Sequence, residues 1–244
     1  MIIINDSVVL FSEKYYLWVT KIAIMLKGVL FDMDGVLVNN LEVHYKAFME
    51  FFRRHGVERD FTELSHLFGR GNDEIMGELM PHEIVERVGV HALGEQKEAI
   101  YREIYAPTIV PQQGLHTLLA ALRDEDIKCA VGSSGYRANV DFVLDRCNIE
   151  PYFSAIVAGD EVTRCKPDPE IYLTAAAKLG LKPSECIVFE DAEAGIEAAK
   201  RAGIKVIALA TTFDRDFLKG TDADMIIDDF RDIDVATMRQ LIEA

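Results

Sequence analysis

The sequence predicts an α/β protein: a doubly wound parallel sheet with a small all-helical segment inserted after its first strand. Three observations carry this. Gly28-Val29-Leu30-Phe31 is a short unbroken apolar run that stops at Asp32-Met33-Asp34-Gly35, the pattern of a strand buried on both faces of a helix-covered sheet. Residues 41–108 carry apolar side chains at helical spacing with no convincing strand. Beyond residue 109, helical and extended apolar segments alternate, as in βα units wound on a common sheet.

Residues 1–24 are apolar, but Asp6, Glu13, Lys14 and Lys21 interrupt every stretch long enough to span a bilayer. The basic start and small-residue cleavage site of a secretory signal are also lacking. This stretch is read as an N-terminal extension with no assigned function, ahead of a core that begins at Met25. The first strand follows. In 41–108, Val43, Ala47, Phe48, Phe51 and Phe52 form one helical face, and Ile75, Leu79, Ile84 and Val88 another, with Pro81 placed to open a helix. Asn39-Asn40 and Val110-Pro111-Gln112-Gln113-Gly114 are the expected hinges of this insert.

The core then resumes over 109–244. Leu115, Leu118, Leu119 and Leu122 mark a helix, and Ile127 to Val131 a strand that ends in Gly132-Ser133-Ser134-Gly135. A helix through Val140, Val143, Leu144 and Cys147 precedes a strand at Ala155 to Ala158. The loop Cys165-Lys166-Pro167-Asp168-Pro169 leads into a helix through Ile171, Ala175 and Leu179. Cys186 to Phe189 is a strand closed by Glu190-Asp191, and the helix from Ala192 to Ala202 stops at Gly203. Strands at Lys205 to Ala208 and Met225 to Ile227, and a helix over 235–242, complete the domain.

Composition narrows the function. The 244 residues, 50% of them hydrophobic, can bury one substantial core and a small second domain. A formal net charge of -15 repels nucleic acid and anionic membranes, so an anionic substrate must be held by local cations or a metal. No protein partner is implied. Cys129, Cys147, Cys165 and Cys186 are scattered without a Cys-x-x-Cys pair, which points to reduced thiols in a cytoplasmic protein.

Polar groups close successive strands: Asp32 and Asp34, then Ser133, then Glu190-Asp191, with Lys166 on a loop between. Singly, each has an ordinary reading as a turn, a helix cap or a surface charge. A calcium loop is excluded at Asp32 because Val36, Leu37 and Val38 are apolar where oxygen ligands should continue. Open parallel sheets place active sites at the carboxyl ends of their strands, so the set fits one crevice. Its chemistry suits phosphoryl transfer. A carboxylate can carry a covalent intermediate, but its attack on phosphate gathers negative charge that must be neutralised. Magnesium held by Asp32, the main-chain carbonyl of Asp34 and Asp191 would do so. Lys166 adds a fixed cation, and the Ser133 hydroxyl with adjacent amides can bind phosphate oxygens. Asp34 can serve as general acid and then general base.

Phe31-Asp32-Met33-Asp34-Gly35-Val36-Leu37, Ser133 after an apolar run, Lys166 in Cys-Lys-Pro-Asp-Pro, and Val188-Phe189-Glu190-Asp191 before Ala194-Gly195-Ile196 resemble the four ordered motifs of the haloacid dehalogenase-like superfamily. The likeness covers Met25 to the C-terminus. It is greatest to the group with a small helical cap, which includes β-phosphoglucomutase and sugar-phosphate phosphatases, and it implies a Rossmann-like core. By that resemblance Asp32 is the phosphorylated nucleophile, Asp34 the acid/base, and Ser133, Ser134 and Lys166 contact phosphate. Asp191 ligates magnesium, and Glu190 touches the ion directly or through water. The cap, residues 41–108, selects the substrate.

In the cap, His44 matches a hinge histidine of β-phosphoglucomutase, Lys97 falls near a cap lysine, and Gly69, Arg70 and Asn72 lie in the recognition loop. The mutase grips its distal phosphate with an arginine where Asn72 stands here, and has an acid and a threonine at Asn39 and Asn40. Loss of a bidentate guanidinium is a large change. The expectation is therefore a phosphatase of small phosphorylated metabolites, with a phosphosugar mutase second and a catalytically silent binding module a remote third.

Overall fold

The computed structural model describes residues 2–4, 7–9, 25–59 and 71–244. Strands β1 (Ile2–Ile4) and β2 (Ser7–Val9) pair antiparallel, apart from the main sheet. The rest of the N-terminal extension lies outside the described residues.

Strands β3 (Gly28–Phe31), β4 (Lys128–Gly132), β5 (Phe153–Val157), β6 (Cys186–Glu190), β7 (Lys205–Leu209) and β8 (Met225–Ile227) form one sheet in the order β5-β4-β3-β6-β7-β8. Every pairing in it is parallel. The first core strand therefore stands between the second and the fourth. Phe31 is level with Val131 on one side and Phe189 on the other, so Asp32, Gly132 and Glu190 emerge at the same height. Strand bounds shift by a residue or two from expectation: β4 runs one residue later, and β6 extends to Glu190, which pairs with Ala208.

Side chains alternate across the strands and divide the apolar interior in two. Val29, Phe31, Val131, Ile187 and Phe189 face one side, packed with Leu115, Leu118 and Leu122 of α5 (Leu115–Asp124) and Met238 of α10 (Val235–Glu243). Leu30, Ala130, Val188 and Val206 face the other, against α7 (Glu170–Leu179) and α8 (Glu193–Arg201). Helix α6 (Arg137–Arg146) and the short α9 (Arg215–Leu218) complete the winding.

The insert consists of α1 (Leu41–His55), α2 (Asn72–Leu79), α3 (His82–Val88) and α4 (Val90–Tyr105). Ala47, Phe48, Phe51 and Phe52 are buried as their spacing predicts, whereas Ile84 and Val88 pack only partly against the core. Pro81 caps α3 at its start. The two connections to the insert lie together, with Gln112 N donating to Leu37 O at 2.8 Å. Among the described residues no helix is long and apolar enough to cross a membrane.

Phe31 is fully buried, stacked on Phe189 at 5.2 Å and met edge-on by Phe153 at 5.7 Å. Phe31→Ala should cost about 3–5 kcal/mol through lost burial and the cavity left behind, read as a lower urea midpoint with an unchanged m-value.

Candidate active site

The sheet register delivers the first cluster. Lys166 Nζ lies 2.6 Å from Asp32 Oδ1 and 2.6 Å from Glu190 Oε1, with all three side chains buried. Asp32, Glu190 and Asp191 each offer an oxygen within 4.8 Å of the others. The Asp34 carboxylate is not part of that group, which leaves its main-chain carbonyl as the donor expected of it. Gly35 makes the close approach possible: its φ is +77, and a Cβ there would overlap the Asp191 carboxylate.

Three buried carboxylates around one ammonium leave excess negative charge. Burial pushes Asp32 up to about 8, with Glu190 and Asp34 adding to the rise and Lys166 opposing it. Burial likewise raises Asp191 well above the usual carboxylate range, reinforced by Glu190 and Asp32. Burial would lower Lys166, but Asp32 and Glu190 outweigh it and hold the ammonium charged. Hard oxygen donors with uncompensated charge fit a divalent cation such as magnesium.

The second cluster joins Asp34 to the insert. Asn40 Nδ2 donates to Asp34 Oδ1 at 2.6 Å and to the Tyr101 hydroxyl of α4 at 2.6 Å. His44 Nε2 is 3.3 Å from the same Asp34 oxygen, and its Nδ1 is 3.3 Å from Lys97 Nζ. The imidazole thus bridges Lys97 Nζ on one side and the Asp34 carboxylate on the other. Lys97 is paired with Glu98, which accepts from Asn139 Nδ2 of α6 at 2.5 Å. Burial would raise Asp34, but His44 and then Asn40 hold it below the usual carboxylate range.

Around these clusters is an open pocket of about 750 Å³, counting space open to solvent. Its walls include Asp32, Asp34, His44, Lys166, Glu190 and Asp191, together with Asn72, Lys97 and Ser134. Ser133 is buried, and its Oγ accepts from Gly135 N at 3.0 Å. A Cβ at Gly135 would lie 3.2 Å from that oxygen and 3.7 Å from Asp34 Oδ2, which places the Ser133 loop against Asp34. Gly69 and Arg70 lie outside the described residues.

Sequence reasoning missed the roles of Asn40, Tyr101, Glu98 and Tyr172. Asn40 registers only as a hinge substitution, and the tyrosines look like core aromatics. Glu98 had a usable signal. Lys97 and Glu98 sit inside the buried face formed by Leu93, Ile100 and Tyr101, where unpaired charges would not be tolerated.

The model of the haloacid dehalogenase-like hydrolases matches residues 29–209. Validoxylamine A 7'-phosphate phosphatase of Streptomyces hygroscopicus subsp. limoneus is 36% identical over 212 residues, covering 86% of this chain and 96% of the relative. Beta-phosphoglucomutase of Bacillus subtilis (strain 168) is 32% identical over 192 residues, covering 75% and 83%. A solved HAD hydrolase of family IA, variant 3, from Entamoeba histolytica superposes with a TM-score of 0.78 at 28% identity, covering 89% of this chain and 100% of that one.

The raised Asp32 gives a pH test. Without metal the folded protein keeps this proton up to about pH 8, whereas the unfolded chain loses it near 3.8. The folded state therefore binds the extra proton between those limits, and this group's contribution to stability falls as pH rises through that window. A bound cation displaces the proton, so the Tm gain from saturating magnesium should be larger at about pH 8 than at about pH 5.5. Asp191→Asn should remove most of that gain.

Proposed function

Because the chain belongs to the haloacid dehalogenase-like hydrolases, we propose that it is a magnesium-dependent phosphatase of small phosphorylated metabolites, sugar phosphates foremost, acting through a phosphoaspartate on Asp32. The observation that carries the reading is the Lys166 ammonium bonded at 2.6 Å to Asp32, beside Asp191 and with Asp34 two residues on. Residues 25–40 and 109–244 are the core domain in this reading, and residues 41–108 are the cap that closes over the substrate. The free cysteines fit a reducing compartment such as the cytoplasm.

Lys166 occupies Asp32 Oδ1, which leaves Oδ2 for attack on phosphorus. The new Asp32–phosphorus bond forms as the ester P–O bond breaks, and Asp34 delivers a proton to the departing alcohol oxygen. The dianionic phosphate raises the proton affinity of Asp34, which is otherwise held ionised. Asp34 then takes a proton from water, whose oxygen displaces Asp32 from phosphorus and releases phosphate. Ser133, Ser134 and neighbouring amides bind phosphoryl oxygens. Magnesium on Asp32, Asp191 and the Asp34 carbonyl, with Glu190 beside them, would supply positive charge to those oxygens. His44 and Lys97 orient Asp34 from the cap side, and Asn72, the first residue of α2, contacts the part of the substrate beyond phosphorus.

A phosphosugar mutase of the β-phosphoglucomutase kind is the second reading, favoured by the His44–Lys97 chain that reaches Asp34 from the insert. There a bound sugar phosphate, not water, would take the phosphoryl group. Phosphorus NMR with magnesium and β-glucose 1-phosphate, primed with a trace of 1,6-bisphosphate and run beside a phosphate-release screen, separates the two. Free phosphate without an isomer is expected; glucose 6-phosphate without free phosphate would establish the mutase. Asp32→Asn should abolish turnover with the fold intact, and surviving activity would overturn the covalent mechanism. Asn72→Ala should raise KM about tenfold; unchanged affinity would remove this residue from recognition.

A further inference from the structure

Helix α6 meets the insert at its first turn. Tyr136, the residue just ahead of that helix, is buried, and its hydroxyl donates to Asp73 Oδ1 of α2. Burial, reinforced by Asp73, pushes the phenol up, so it keeps the proton it donates. Within the same turn, Asn139 accepts from Arg102 Nη1 and donates to Glu98, both of α4. Two helices of the insert are thus pinned separately by one helix of the core.

The Tyr136 hydroxyl has little room to turn elsewhere. A Cβ at Gly94 of α4 would overlap it, and the His91 ring stands 5.0 Å from the tyrosine ring. His91 Nδ1 also lies 3.5 Å from the Asp73 oxygen. Helix α2 is held from a second side as well: a Cβ at Gly71, the residue before it, would lie 2.5 Å from Cys165 Sγ. Cys165 precedes Lys166, and Tyr136 follows Ser134-Gly135. The start of α2 therefore rests on both core loops that supply Ser134, Gly135 and Lys166 to the pocket.

Between these two contacts stands Asn72, buried and lining the pocket. Successive residues of a helix lie about 100° apart around its axis. A bond at Asp73 therefore sets the direction of Asn72 without blocking it. We propose that Tyr136 is a positioning residue for substrate selection: its hydroxyl anchors α2 at Asp73 and so fixes Asn72 over the pocket. The effect on substrate rests on the phosphatase reading above; the anchoring of α2 does not.

Two measurements on Tyr136→Phe, which keeps the ring and removes only the hydroxyl, test this. In hydrogen exchange of the whole protein, the amides of α2 should exchange about tenfold faster, the scale of one lost hydrogen bond, with those of α4 and β4 unchanged. Unchanged exchange in α2 would overturn the anchor. Equal acceleration in α4 would mean a general loosening of the insert and would overturn it too. In kinetics with the sugar phosphate that the release screen identifies, Tyr136→Phe should raise KM about tenfold with kcat nearly unchanged. It should add little to Asn72→Ala, because the hydroxyl acts through that residue; full additivity of the two changes would remove Tyr136 from selection. Failure of the unaltered protein to release phosphate from any ester would instead count against the phosphatase reading, and hydrogen exchange would still decide the anchor.

Discussion

The structure depends on one buried ammonium. Lys166 sits between Asp32 and Glu190 at 2.6 Å from each, with Asp191 alongside. Charges removed from water are costly unless paired and hydrogen-bonded, and here the pairing is deliberately incomplete: one cation faces three carboxylates. The surplus is tolerable because the parallel sheet brings backbone N–H groups and the first turn of α8 to the same edge, where they bond Glu190. The rest of the surplus is what makes the site attractive to a divalent cation. A protein carrying a net charge of -15 draws a phosphorylated substrate only through such local positive charge.

The same logic explains why the second aspartate of the pair is held differently. Asp34 lies only two residues from Asp32, yet it is held by Asn40 and His44 next to the hinge and, through them, by Tyr101 and Lys97 of the insert. Asp32 is a property of the sheet, whereas Asp34 is shared between the sheet and the insert. Because Leu37 and Gln112 tie the two connections together, any displacement of the insert would act on both at once. It would alter the bonds that hold Asp34 ionised while leaving the Lys166 cluster in place.

What could be read from the sequence follows that division. The strands are legible because each is a short apolar run with chemistry at its end, and register then fixes where Asp32, Asp34, Glu190 and Asp191 must stand. Lys166 is legible because its proline-flanked loop feeds the next helix. Asn40 is different: a short amide just ahead of a helical run registers only as a hinge position, whereas its side chain caps no helix and bridges Asp34 and Tyr101. Tyr172 occupies an apolar stripe with Ile171, Ala175 and Leu179, and only a three-dimensional contact shows that its hydroxyl meets Glu190. Hydrophobic periodicity finds a ring and is silent about its hydroxyl.

The far wall of the pocket obeys a different electrostatic rule from the floor. Lys97 of the insert reaches Asp34 through His44, but Glu98 neutralises it and Phe48 lies 4.5 Å from it. Leu41, Phe48, Ile75 and Asn72 line the pocket alongside it. Among the described residues this wall carries no net charge. A neutral wall of mixed apolar and amide character discriminates by shape and by unsatisfied hydrogen bonds, which penalise a poorly matched partner more than they reward a good one. The charged groups of the floor suit any phosphate ester, so a distinction among esters would have to come from the side chains of this wall.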